Sequence, residues 1–381
     1  MLQNPVRIVR HIIRVPNIAA YIHLHYATRI TVSFKTYYVE LPELKFNLYI
    51  SSQLYSVASH NRKIQVTGGS TYIVSLPPGW IKREGLERGS SVKIDEANDS
   101  LVISSSLEKK KEVVKNLILK SEIESELLLR ALTSIYISNF DTLIIKSQSY
   151  MEKNTRDTIK KFARLVMGVE IFEESSRSIV LQNVLDYNSF PISTAVRRMA
   201  LNVRAMLEDT NSALESDDLN LLDNVILRDD EVDRYQLYVY RETNRGETAN
   251  RESIYYLIFS RILERIADHS VNICKIWRSR ELVDPKNKTG IIKFLSLSYA
   301  MYTNAVETFY ASKFEKLNEI ISGKGKINGL KEEILRDYGD SRDSFVLLSC
   351  AEECSRIGLY ATDIAELAMD LILSRNLENA I

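Results

Sequence analysis

Carboxylates at one-turn spacing are the residues of this chain best placed to do chemistry. Asp229 and Asp233 stand four apart in one helix-patterned stretch, Glu264 and Asp268 four apart in the next, and Asp230 adjoins the first pair. Residues at i and i+4 share a helix face. Two such pairs on neighbouring helices can offer four or more oxygens to a hard or borderline cation, with His269 as a nitrogen donor beside them. The same spacing also suits an ion-pair network in which Arg228, Arg234, Arg261 and Arg265 are the counter-charges. With Leu222 at zero on a wheel of ~100° per residue, Asp229 and Asp233 fall at roughly −20° and +20°. They sit inside the apolar seam made by Leu222, Val225, Ile226, Val232 and Tyr240, where an acid needs a partner or a proton. On the next stretch Ile258, Ile262, Ile266 and Ile273 make the apolar stripe, and Glu264 with Asp268 lie nearly opposite it.

A second set is basic. Arg62, Lys63, Lys82, Arg83, Arg88 and Lys93 outnumber Glu84 and Glu87 in a short segment. Doubled in a dimer, these cations can displace several counterions from duplex DNA. The backbone amides of Gly68-Gly69-Ser70 can also reach a phosphate. Solvated charges on a segment that only dimerises would look the same. Catalytic signals are thin. Gly68 to Thr71 lacks the spaced glycines and lysine of a nucleotide cradle. His269 is the sole histidine after residue 60, so no cysteine or serine has a general base near it in sequence. Tyr235, Tyr238, Tyr240, Tyr255 and Tyr256 read as packing residues, Trp80 as packing for a short helix, and Trp277 as the closure of a bundle.

The elements that must position these groups follow from punctuation and period. Residues 62 to 104 alternate short apolar runs with Gly68-Gly69, Pro77-Pro78-Gly79, Gly89 and Asn98-Asp99, which predicts strand, turn, strand, short helix, strand, turn, strand. Residues 109–187 alternate strand-like runs (VVKNLIL, TLIIK, VEIF, SIVLQ) with helical runs at 122–139 and 154–168, the pattern of a small α/β sandwich. From 190 to 376 the period is helical. Breaks near Ser216-Asp217, Gly246, Asp284-Pro285, Gly323 to Gly329 and Gly339 divide it into six helices, or two three-helix units at 190–280 and 288–376. The predicted class is therefore multidomain α+β.

Residues 1–60 differ from the rest. They hold no glycine, six of the twenty tyrosines and four of the five histidines, His11, His23, His25 and His60. A strand-rich extension fits them, and so does an overlong reading frame with its true start near Leu54 or Val57; the composition shift at Asn61 favours the second. Lys plus Arg and Asp plus Glu both number 50 in 381 residues, so a basic site has to be a local patch. Cys274, Cys350 and Cys354 form no CxxC pair, and together with the lack of any run of about 18 apolar residues they predict a cytoplasmic chain with no membrane insertion.

Two segments resemble known families. Leu263-Glu264-Arg265-Ile266-Ala267-Asp268-His269 is similar to the ER-I-x-D-H signature of PhoU proteins, and Arg228-Asp229-Asp230-Glu231-Val232-Asp233 resembles their acidic segment on the preceding helix. The resemblance implies two three-helix bundles that bind metal and repress phosphate uptake through a phosphate ABC transporter or a sensor kinase. It makes Asp229, Asp230, Asp233, Glu264 and Asp268 candidate ligands for iron, zinc or magnesium. In the second bundle Ser355 and Leu359 stand where Glu264 and Asp268 stand in the first, which limits the expectation to one site; Glu352, Glu353 and Asp363 are near but off register.

The stretch from Arg62 to Ser104 resembles the SpoVT/AbrB swapped-hairpin domain through Val74-Ser75-Leu76-Pro77, Trp80, Gly85-Leu86, Gly89 and Val92-Lys93-Ile94. That implies an intertwined homodimer that binds DNA through Arg62, Lys63, Gly68, Gly69, Ser70, Lys82 and Arg83. The first turn lacks the Gly-Arg pair common in DNA-binding members. Together the resemblances imply a dimeric, phosphate-responsive transcription regulator without enzymatic activity. The alternative is an adaptor that docks the transporter or kinase and uses the β domain only to dimerise.

Overall fold

The structure, a computed structural model, describes residues 60–97, 100–105, 112–120, 123–186, 190–245, 251–279, 285–311, 316–338 and 343–375. Both readings of residues 1–59 lie outside them. The chain divides into two compact units, 1–108 and 109–381.

In the first unit β1 (Gln65–Thr67) and β2 (Thr71–Ile73) pair antiparallel with Thr67 opposite Thr71. Gly68 at φ +64° and Gly69 at φ +87° close the turn in left-handed conformations that glycine alone takes without cost. Helix α1 (Pro78–Arg83) follows, with proline in its first turn. Strands β3 (Val92–Ala97) and β4 (Ser100–Ser105) then make a second, separate hairpin. The predicted element order is therefore present. What the unit lacks is a core: among its described residues Leu86 is the buried hydrophobic, whereas Ile64, Val66, Tyr72, Ile94, Leu101 and Val102 are exposed, and Trp80 is half-buried.

The second unit begins with β5 (Val114–Leu119), α2 (Ser125–Ile137), β6 (Thr142–Ser147), α3 (Lys153–Leu165), β7 (Val169–Glu174) and β8 (Ser178–Asn183). The sheet order is β5-β6-β8-β7, parallel between β5 and β6 and antiparallel elsewhere. Alternate residues Leu117, Leu119, Leu143, Ile145, Ile179 and Leu181 are buried, as are Leu128, Leu132 and Tyr136 at helical spacing on α2 and Ile159 and Phe162 on α3.

Six helices follow: α4 (Ile192–Ser216), α5 (Leu219–Asn244), α6 (Arg251–Ser279), α7 (Pro285–Ala311), α8 (Leu317–Tyr338) and α9 (Ser344–Arg375). The tight α4–α5 turn has Asp217 in the left-handed region and Asp218 capping α5 by accepting from the amides of Asn220 and Leu221 at 2.9 and 3.2 Å. Helices α4, α5 and α6 pack together, α7, α8 and α9 do likewise, and the two trios meet through α6 with α9 and α4 with α7. Trp277 is buried at the end of α6 and donates to Asp217 Oδ1 at 3.2 Å. Among the described residues no helix is long and apolar enough to cross a membrane.

One predicted break is wrong. Helix α8 runs unbroken through Gly323 to Gly329, because Gly323 serves packing and not helix termination: a Cβ there would stand 2.8 Å from Met301 Cε on α7. Gly358 on α9 does the same toward α8, where a Cβ would meet Ile327 Cδ1 at 2.4 Å.

The sandwich is fastened to the helices through α5. Arg241 is fully buried. Its guanidinium donates to Asn139 Oδ1 from Nε and Nη2 at 3.1 Å, to Asn183 Oδ1 at 3.2 Å and to the Phe140 carbonyl at 2.6 Å. It also lies over the rings of Tyr136 and Phe140, at 4.7 and 5.5 Å from their centres. Asn139 presents its amide from a left-handed backbone, φ 61°. Substituting Arg241→Leu strands these acceptors, and the expected loss is roughly 3–5 kcal/mol of stability. Hydrogen exchange should show the β5–β8 sheet opening before α9 in the variant; an unchanged urea midpoint and exchange pattern would contradict this role.

Candidate functional site

Helices α5 and α6 lie side by side, and the predicted acids line their shared boundary. Leu222, Val225 and Val232 are buried along α5, and the half-buried Asp229 and Asp233 fall in the same seam, as the wheel predicts. The expectation for α6 needs correction. Glu264 and Asp268 are half-buried and face α5, whereas Ile258 is 44 % exposed. Helix α6 packs on α4, α5 and α9, so its buried surface, Phe259, Leu263, Ile266, Ala267, Val271, Ile273 and Cys274, wraps past a single stripe, and its exposed face runs through Ile258, Arg261, Arg265, Asn272 and Lys275.

Four carboxylates now share one poorly hydrated region. Burial, followed by the charge of Asp268, pushes Asp229 up to about 6, with Lys275 opposing. Burial and then Asp229, Glu264 and Asp268 push Asp233 up to about 7. Glu264 is also raised, by burial first and Asp268 second, against Arg261 and Arg265. Asp230 is exposed at the edge. Asp229 Oδ1 and Glu264 Oε2 are buried without a hydrogen-bond partner.

The arginines named from sequence as counter-charges neutralise little of this. Arg228 turns away to Asp209 at 2.5 Å, and Arg261 and Arg265 reach Glu264 Oε2 only at 3.8 Å. The quartet is thus an electron-rich, under-neutralised oxygen set whose chemistry suits a hard cation such as magnesium or ferric iron. Yet among the described residues no three His, Cys, Asp or Glu side chains converge closely enough to enclose an ion.

His269 does not join the set. Its Nδ1 is 2.6 Å from Glu353 Oε2 on α9, its ring stacks on Tyr360, and Asn272 donates to the same carboxylate at 3.2 Å. Sequence reasoning noted Glu353 but not this link between the two trios. In the second trio, Ser355 is buried and Leu359 half-buried, and Glu352 is held by Lys331 and Arg356. These positions offer nothing like the first quartet.

The predicted DNA-contacting residues sit on the first unit. Arg62, Lys63, Gly68, Gly69, Ser70, Lys82 and Arg83 are all exposed. Arg83 is paired with Glu84 at 3.3 Å, an exposed contact that holds it weakly.

Comparison with known proteins bears on both units. Residues 196–277 match the PhoU domain, a span that covers most of α4, α5 and α6 and therefore the acidic quartet. Residues 65–114 match the family described as antidote-toxin recognition MazE, bacterial antitoxin. Among solved structures, PhoU from Pseudomonas aeruginosa is 20 % identical, with 48 % of this chain and 96 % of that chain covered and a TM-score of 0.45. The phosphate transport system regulatory protein PhoU from Streptococcus pneumoniae is 17 % identical, with 47 % and 92 % covered and a TM-score of 0.41. No curated protein matches the chain.

The raised acids set a pH dependence. Both folded-state values, about 6 and about 7, lie above the ordinary aspartate value of 3.8, so the folded chain holds protons that the unfolded chain releases. Their contribution is complete below the unfolded value and is lost as pH rises through the folded ones. The urea midpoint of metal-free protein should therefore fall between about pH 5 and 8, and Asp233→Asn should flatten that slope and add about 1 kcal/mol at the upper end, after discounting for partial exposure. A wild-type midpoint that is flat across this range would contradict the mutual burial of the acids.

Proposed function

We propose that this chain is a phosphate-responsive transcription regulator that restrains phosphate uptake, with DNA held by the β unit of two chains and phosphate status sensed by the helical unit. The observation that carries the reading is a pairing. A PhoU-domain match lies on the helices that bear the acidic quartet, and a MazE match lies on a unit with a basic stretch at 62–93 and, among its described residues, almost no core.

The β unit argues for a second copy. Two-stranded hairpins with exposed Val66, Tyr72, Ile94 and Leu101 are marginal alone. Intertwining with a partner's hairpins would bury those side chains and bring two sets of Arg62, Lys63, Lys82, Arg83 and Arg88 onto one face. Phosphate contacts of that kind give affinity that is steeply salt-dependent.

On the helical unit, the quartet is where a cation would be held. Asp229 and Asp233 on α5 and Glu264 and Asp268 on α6 would supply the oxygens, with Asp230 at the rim. A bound cation would supply the positive charge that the arginines do not, drawing α5 and α6 together and releasing the protons of Asp229 and Asp233. A partner such as a transporter subunit or a sensor kinase could read the same helices, and either mode fits a cytoplasmic regulator.

Retention on duplex DNA tests the proposal. Affinity should fall by orders of magnitude between about 50 and 200 mM salt, and Arg62→Ala with Lys63→Ala should lower the log–log slope by about two per chain. Absent or salt-independent retention would overturn the DNA-binding role and leave the adaptor reading.

A further inference from the structure

A cleft on the second unit, away from the quartet's α5–α6 boundary, is lined by more cations than acids among the described residues. It lies where the end of α3, the turn into β7 and helix α5 come together, has a volume of about 490 Å³, and is lined by Lys160, Arg164, Gly168, Glu170 and Arg234 among others. The turn is rigid: Gly168 stands at φ +72°, a Cβ there would meet Leu185 Cβ at 2.6 Å, and its carbonyl accepts from the Val184 amide at 2.8 Å.

The electrostatics are one-sided. Lys160 pairs with Glu174 Oε2 at 3.2 Å while Arg156 holds the other oxygen of the same carboxylate at 2.7 Å, so one acid serves two cations. Arg164 and Arg234 have no carboxylate within ion-pair distance among the described residues, and Glu170 is the one acid in the lining. Most telling, Arg234 Nε is buried with no acceptor. A buried guanidinium nitrogen left unbonded costs on the order of 1–3 kcal/mol, and such orphans in a cleft mark where a missing acceptor belongs.

We propose that this cleft is an oxyanion site that takes a phosphate group, with the half-buried Arg234 guanidinium as the inner donor and Arg164 and Lys160 as the outer cations. Guanidinium donors match the planar pairs of oxygens on phosphate better than they match chloride. The cleft has more room than a bare phosphate needs, so the group can be inorganic phosphate or the phosphoryl end of a small ester. Because Arg234 directly follows Asp233 on α5, occupancy would be felt by the helix that carries the quartet. The site gives the phosphate response proposed above a ligand, and in that respect it rests on that reading; it does not depend on DNA binding.

Isothermal titration calorimetry on the full-length protein tests it, with inorganic phosphate, adenosine monophosphate and sulfate as probes at constant ionic strength. Wild type should bind inorganic phosphate saturably. Arg234→Met, which keeps the stem and removes the donors, should weaken binding at least about tenfold, and Arg164→Gln, a change at an exposed side chain, by several-fold. Arg130→Gln, an exposed change on α2, should leave it as in wild type. Tighter binding of the monophosphate would identify the ester as the preferred source. No saturable binding of any probe, or wild-type affinity in both Arg234→Met and Arg164→Gln, would overturn the site. DNA retention by those two variants, measured separately, tells loss of the oxyanion site from failure of the regulator reading, since neither residue belongs to the β unit.

Discussion

A guanidinium removed from water must be saturated by protein, and Arg241 meets that demand with groups that come from outside its own helix. Asn139 and Phe140 follow α2, Asn183 ends β8, and the aromatic faces of Tyr136 and Phe140 close over the charge. The same field is felt nearby, where burial and then Arg241 lower Lys115 to about 8. Charge-assisted bonds in low dielectric are directional and costly to break. The sandwich therefore cannot shift along α5 without stranding a buried charge. Asn244 adds a bond to the Ile137 carbonyl at 3.3 Å, and Tyr238 donates to the Phe190 carbonyl at the entry to α4.

Helix α5 thereby carries the acid pair, the cleft cation and the anchoring arginine of the second unit. Asp229 and Asp233 present acid to α6, Arg234 presents a cation to the cleft under β7, and Arg241 locks the helix into the sandwich. Acid and base on successive residues of one helix point in different directions, so they do not cancel each other. Acids crowded in a half-buried seam hold protons that they would lose in water, and binding a cation or opening the seam relieves that strain.

Most of the fold is legible from the residues. Glycine and proline punctuation places the two hairpins and α1. Alternation places the four-stranded sheet, and the 3.6-residue period places six helices. The errors share a cause. The glycines at 323 and 329 signal a break, but at Gly323 contact with Met301 decides the role, and such contacts join segments remote in sequence. For α6 a single apolar stripe is a poor guide because three helices pack around it. The acid pairs are legible because both members lie on one helix. His269 with Glu353, 84 residues apart, and Arg241 with Asn139, 102 apart, are not. Nothing local in the sequence separates the buried Arg241 from Arg245, or the unpartnered Arg234 from the other arginines of its helix.

The central claim, that a DNA-holding unit and a phosphate-responsive helical unit act as one regulator, is tested most directly in cells. Immunoprecipitation of crosslinked, tagged protein with sequencing of the bound DNA would be compared between phosphate-replete and phosphate-starved cultures. Discrete peaks beside phosphate-transport genes that change in height with phosphate are the predicted result. A profile without peaks, with transporter or kinase subunits recovered in their place, would contradict it and leave the β unit with dimerisation alone.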